Sequence, residues 1–109
     1  MAASTKPWSA PTVADFAGDP AKYCDACMID MNEPGGQKTA GQCKLPYKEP
    51  DGTVNANALR SIAAILGGAR GGVDAPADKK RAAARKTAGL MRANNMTPGD
   101  GLMRMAGMG

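Results

Sequence analysis

Apolar and polar positions along this chain change period midway. From Tyr23 to Met31 the run YCDACMIDM alternates, with Tyr23, Asp25, Cys27, Ile29 and Met31 on one side and Cys24, Ala26, Met28 and Asp30 on the other. A two-residue period reads as a strand, although Asp25 spoils its first face. The following NEPGG, residues 32–36, is dense in turn formers, and residues 37–45 are long enough for a returning strand. A β-hairpin with a long loop is therefore predicted over residues 23–45. Leu45-Pro46 and Glu49-Pro50 then bias the backbone toward extended geometry, and Asp51-Gly52 is a turn pair, so no helix is expected before about Thr53.

From there the period becomes helical. Leu59, Ile62, Ala63 and Leu66 share one face, Asn55 suits the N-cap, Val54 is placed to staple onto Leu59, and Gly67-Gly68 suits the C-terminal cap. The spacing predicts a helix over residues 55–66. A second helix is predicted over residues 76–94, with Asp74 or Ala75 as cap, Pro76 in the first turn and Asp78 at the positive end of the dipole. Ala77, Ala84, Ala88 and Met91 share its inner face, while Arg81, Arg85 and Arg92 form a basic stripe. Alanine on the buried side permits close approach, so the two helices should form an αα-hairpin packed on the strands.

The ends carry less pattern. Residues 1–20 read as an extended arm, with Trp8 as its large apolar group and Val13-Ala14-Asp15-Phe16 as one helical turn seating Phe16. Trp8 either folds back onto its own domain or plugs a pocket on a neighbour, since tryptophan is favoured as an interface anchor. Residues 95–109 are interrupted by Pro98 and several glycines and read as an irregular tail dispensable for folding. Leu102, Met103, Met105 and Met108 there either stay disordered or lie on a neighbouring subunit, where methionine adapts well to irregular grooves. The predicted fold is a small single α+β domain over residues 21–94, a β-hairpin followed by a two-helix hairpin, between an arm and a tail.

Composition narrows what such a domain can do. The 109 residues are 43% hydrophobic, yet they include one Phe, one Trp and two Tyr, so the core is alanine-rich and thin. A partner surface would help it. The net charge of +4 is placed unevenly: seven basic residues balance seven acidic ones up to Val73, whereas seven face three from Asp74 onward. Such a segment is drawn to acidic protein surfaces or to nucleic acid, or is a solvated helix face. No aromatic stacking platform accompanies it, which argues against nucleic acid as the partner. No apolar run approaches the ~20 residues of a membrane span, and the N-terminus lacks a secretory pattern, so a soluble protein made in a cytoplasm is expected.

The chain has no histidine, which removes His-based acid–base catalysis and the Ser-His-Asp and Cys-His pairs. The carboxylates are scattered, and GGARGG lacks the spacing and the Lys-Ser/Thr of a phosphate loop. The reading is therefore non-enzymatic, with no cofactor and no small-molecule substrate. Cys24-Asp25-Ala26-Cys27 is the one sharper motif. With Cys43 it composes a three-cysteine zinc set, Asp25 or Asp30 serving as a strained fourth ligand. The absence of a second CxxC knuckle and the odd number of cysteines favour reduced cysteines acting as small buried hydrophobes instead.

The stretch from Tyr23 to Met91 resembles a group of short tailed-bacteriophage proteins associated with heads, and a module appended to some phage head-maturation proteins. The resemblance rests on Lys44-Leu45-Pro46, Pro50-Asp51-Gly52, Asn55 and Asn57, Gly67-Gly68, and Pro76. It implies a virion component made in the host cytoplasm, a decoration or cement protein that binds the major capsid protein in many copies and stabilises the shell. It supplies no catalytic residues. The residues expected to meet the partner come from the chain's own chemistry: Trp8, Arg81, Arg85, Lys86, Leu102, Met103 and Met105.

Overall fold

The computed structural model describes residues 3–33, 35–68 and 72–107. Its first helix begins where aspartate and proline meet. Asp19 Oδ1 accepts from Ala21 N at 2.9 Å and Pro20 takes the first helical position, so α1 runs over Pro20–Asp25. The strand reading of Tyr23 to Asp25 is thereby corrected. A cap plus a proline at the first position is a strong helix start, and it prevails over an alternation that Asp25 had already broken.

Only Cys27–Asp30 remains extended, as β1, and the returning strand β2 is Cys43–Pro46 rather than residues 37–45. They pair antiparallel, with Cys27 opposite Pro46, Ile29 opposite Lys44 and Asp30 opposite Cys43. A 3-10 turn over Ala40–Gln42 occupies the end of the long loop, whose Pro34 lies outside the described residues. Leu45 departs from the extended geometry expected before proline and sits at φ 63°. Backbone bonds on either side hold it there, Met31 N to Gln42 O at 2.9 Å and Tyr47 N to Ala26 O at 2.8 Å.

The second helix, α2 (Ala56–Leu66), starts on the residue expected. Asn55, 1% exposed, accepts from Ala58 N at 2.9 Å through its side chain. Helix α3 spans Ala77–Ala93, with Pro76 itself at the cap position, so neither Asp74 nor Ala75 caps it. Its buried face is Ala83, Ala84, Thr87, Ala88 and Met91, while Ala77 is exposed. Thr87 is tolerated in the interior because its hydroxyl donates to Ala83 O at 2.8 Å. Of the predicted loop before α3, residues 69–71 lie outside the described residues.

The tail is not irregular. Asp100–Ala106 forms a further helix, α4, which packs on α3 and α2 and buries Leu102 and Ala106. Two glycines make this possible. A Cβ on Gly101 would lie 3.3 Å from Gly67 Cα, so the end of α2 and the start of α4 approach backbone to backbone. Arg85 Nε donates to Ala106 O at 2.9 Å, satisfying a carbonyl that the end of so short a helix would leave open. Pro98, Gly99 and Gly107 bound α4 rather than prevent it, and Gly101 lies within its first turn.

The arm is strapped down as well. Ser4 donates to Val54 O at 2.7 Å and accepts from Ala56 N at 2.8 Å, and Lys6 O accepts from Asn55 Nδ2 at 3.1 Å and Asn57 Nδ2 at 2.9 Å. Val13–Phe16 makes the expected single turn and buries Phe16, whose ring meets Tyr23 edge-on at 5.9 Å. The result is a small α+β domain. Its main core gathers Met28, Ile29, Tyr47, Leu59, Ile62, Leu66, Met91 and Leu102 around the alanines of α3. A separate cluster of Cys24, Cys27 and Cys43, with Tyr23 against it, lies between α1 and the hairpin.

Candidate functional site

Two regions hold all the predicted functional residues but Trp8, and the cysteine cluster is the more highly organised. The last turn of α1 carries Cys24, and the first residue of β2 is Cys43. Their Cα atoms are 5.4 Å apart and the two side chains are joined as a disulfide. The reading of all three cysteines as reduced hydrophobes is corrected on this point. A helix at Pro20–Asp25, which the alternating pattern concealed, is what turns Cys24 toward Cys43.

Cys27 stands apart from that pair. Its Sγ donates to Tyr23 O at 3.3 Å, and it is a buried free thiol. Burial pushes that thiol up to about 11, against the lowering effect of its contact with Tyr23 and with the nearby Asp30 charge adding to the rise. Cys24, Cys27 and Cys43 share one packed cluster, but their sulfurs do not converge as a zinc set, because Cys27 Sγ is turned to Tyr23 O. Among the described residues the group that converges is Cys24, Asp30 and Cys43, whose ligand atoms all lie within 4.8 Å of one another. Asp25, the other proposed fourth ligand, is exposed at the end of α1.

Asn32 organises this group, and nothing in its sequence context singled it out. Its amide nitrogen lies 3.3 Å from Cys43 Sγ, 3.6 Å from Cys24 Sγ and 2.7 Å from Asp30 Oδ1. Its backbone N–H donates to the same carboxylate oxygen at 2.9 Å, and Lys38 pairs with Oδ2. Burial pushes the Asp30 carboxyl up, but the hydrogen bonds from Lys38 and Asn32, with the Lys38 charge, outweigh it and hold the group below the usual carboxylate range. Beside Asn32 a cleft of about 500 Å³ opens to solvent, lined by Met31, Glu33, Gly36, Gln37 and Gln42.

The second region is the outer face of α3 with α4. Lys79, Arg81, Arg85, Lys86 and Arg92 on α3 and Arg104 on α4 are all exposed. Among the described residues the ion pairs are Lys6–Glu49 and Lys38–Asp30, and neither touches this face. Not every predicted contact residue is free, however. Arg85 holds the end of α4, and Lys86 lies 5.2 Å over the Tyr47 ring as a cation–π partner. Leu102, at 2% exposure, belongs to the core and cannot anchor a partner. Met103 and Met105 are half-buried against that core. Met108, counted with them as an apolar group of the tail, lies outside the described residues.

Arg81, Arg104 and Met105 together line a cleft of about 410 Å³ whose floor includes Leu66 and glycines 67, 68 and 101. At the opposite end Trp8 packs partly on its own core, the first of the two alternatives for it, and one side borders a cleft of about 250 Å³ with Pro7, Pro11 and Pro50. No helix among the described residues is long and apolar enough to cross a membrane. Compared with known protein families, curated proteins and solved structures, the chain matches none of them.

Proposed function

We propose that this chain is a virion structural protein, a decoration or cement protein that binds the assembled head shell of a tailed bacteriophage and stabilises it. The observation that carries the reading is the basic face of α3 and α4. It is exposed, unpaired with carboxylates among the described residues, and bordered by the half-buried Met103 and Met105. Cations flanking adaptable apolar side chains suit an acidic protein surface, with charge giving register and methionine giving contact area. The sequence resemblance over Tyr23 to Met91 supports the same class. The reading includes no catalytic activity.

Many copies on a lattice turn individually modest contacts into resistance against internal pressure, because linked sites raise effective concentration. The fold changes how this is tested. Removing residues 95–109 would take Leu102 and Ala106 out of the core, so tail deletion is not a clean probe of binding. Charge reversal at Arg81 and Arg104 is cleaner, since both are exposed and neither side chain is hydrogen-bonded to the rest of the described chain. The chain should co-sediment with purified heads, and Arg81→Glu with Arg104→Glu should bind at least ~tenfold more weakly while keeping its circular dichroism, because like-charge contacts across an interface are costly. Failure of the unaltered chain to bind either empty or DNA-filled heads removes the reading. Salt-dependent binding to free DNA without heads replaces it with a nucleic-acid-binding accessory role.

A further inference from the structure

Cys24, Cys43 and Asp30 converge from three elements, and only the two sulfurs use the arrangement in the disulfide state. The carboxylate does not take part in the cross-link, yet it lies within 4.8 Å of both sulfurs. Asn32 fixes it there through two N–H groups and directs its side-chain amide toward both sulfurs as well. An amide N–H close to sulfur is worth most when the sulfur is a thiolate, because a charged acceptor makes the stronger hydrogen bond. A disulfide gains little from it. In the disulfide state the amide also reaches Thr39 O at 3.2 Å, and turning from that carbonyl toward a thiolate would use its position beside the sulfurs more fully.

We propose that the Cys24–Cys43 bond is one of two exchangeable clamps, the other being a zinc-class divalent metal held by Cys24, Cys43 and Asp30 once a low-molecular-weight thiol has opened the disulfide. The opening is a two-electron exchange. One thiolate of the reductant attacks a cysteine sulfur, forming a mixed disulfide and releasing the other cysteine as a thiolate that takes up the reductant's proton. A second reductant thiolate attacks the reductant's own sulfur in the mixed disulfide, leaving as a small disulfide and freeing the remaining cysteine, which takes up the second proton. The metal then displaces both thiol protons to solvent. Two thiolates and one carboxylate oxygen supply three tetrahedral positions, and a solvent water supplies the fourth beside Asp30, whose side chain is 27% exposed.

Both clamps tie α1 to β2, so the hairpin keeps its partner helix in either redox state. Lys38 does not block the metal: Asp30 Oδ2, which accepts from Lys38, keeps a second lone pair, and the Lys38 side chain, 38% exposed, has room to swing toward solvent. Cys27 takes no part, since its sulfur is turned to Tyr23 O. The inference concerns the isolated chain and stands whether or not the protein binds a capsid.

The test uses the full chain, oxidised and reduced, titrated with Co²⁺ alone under inert gas. The reduced chain should take one equivalent with thiolate-to-cobalt charge transfer and tetrahedral d–d absorption, and the oxidised chain should take none. In the reduced Zn²⁺-loaded chain, X-ray absorption should show two sulfur and two oxygen or nitrogen neighbours. Asn32→Ala should weaken cobalt binding by roughly 10–100-fold, the usual effect of removing an outer partner of metal ligands. Binding by the oxidised chain, no saturable binding by the reduced chain, or a shell with three sulfurs would each overturn the proposal. The absorption measurements need no variant, so a misfolded mutant cannot shield it.

Discussion

Around α1 and the hairpin, three cysteines and Tyr23 make a small cluster separate from the main core, and a covalent bond holds it. Across the molecule, α2, α3 and α4 meet through Ala58, Ala83, Ala84, Ala88 and Ala106, all 1% exposed or less, with Leu59, Ile62 and Leu102 filling between them. Both regions lean on small side chains, cysteine in one and alanine in the other. One compensates by cross-linking, which restricts the unfolded chain. The other compensates by proximity, since small residues let backbones approach closely enough for dispersion to accumulate over many contacts. A thin composition can therefore build a stable domain in two ways, and the two should fail differently.

The helical side should be the more sensitive to a single side chain. Leu102 is the large residue that holds α4, a helix of 7 residues too short to persist without tertiary contacts. Leu102→Ala should cost about 3–4 kcal/mol, within the range for large-to-small changes in cores, and should release α4 in hydrogen exchange before the rest unfolds. Urea denaturation together with site-resolved exchange checks both parts. A loss confined to global stability, with α4 still protected, would show that the glycine contact and Arg85 suffice to hold it.

On the other side, reduction in metal-free buffer should lower stability by about 3 kcal/mol, the loop-closure value for a cross-link between residues 19 apart. The chain should stay folded, because a domain of this size has roughly 5–15 kcal/mol in hand. Exchange should rise first in α1 and β2 and leave α3 unchanged. The smallest effect sharpens the contrast from within the helices. Gly89 sits mid-helix in α3 where an added Cβ would meet nothing within 4 Å. Gly89→Ala should raise stability by about 0.5–1 kcal/mol through helix propensity alone, read as a shift in denaturation midpoint. A decrease would mean that the exposed face of α3 is packed more tightly than the structure describes.

What was legible along the chain was whatever neighbouring residues decide between themselves. Asn55 capping α2, Phe16 seated by its own turn, the helical face of Leu59, Ile62 and Leu66, and the α+β class all depend on a few adjacent positions. The fate of the cysteines was not legible, because it turned on a competition that local period cannot resolve. Asp19-Pro20 started a helix inside an alternating run, and that helix rotates Cys24 toward Cys43 while leaving Cys27 against Tyr23. Asn32 gave no signal at all, since an asparagine in a turn-rich loop has an ordinary local explanation.

Local sequence chemistry thus settled where α2 begins, which of its faces is apolar, where positive charge accumulates and that no histidine is present for catalysis. Tertiary packing alone decided that the tail is a helix and the arm a strap, and that Asp30 rather than Cys27 joins the two paired sulfurs. The reason is one of range. Caps and periodicities act over one or two turns, whereas the contacts of Leu102 with α2, of Ser4 with Val54 and of Cys24 with Cys43 span 19 residues or more, and their free energy appears only when the chain has closed on itself.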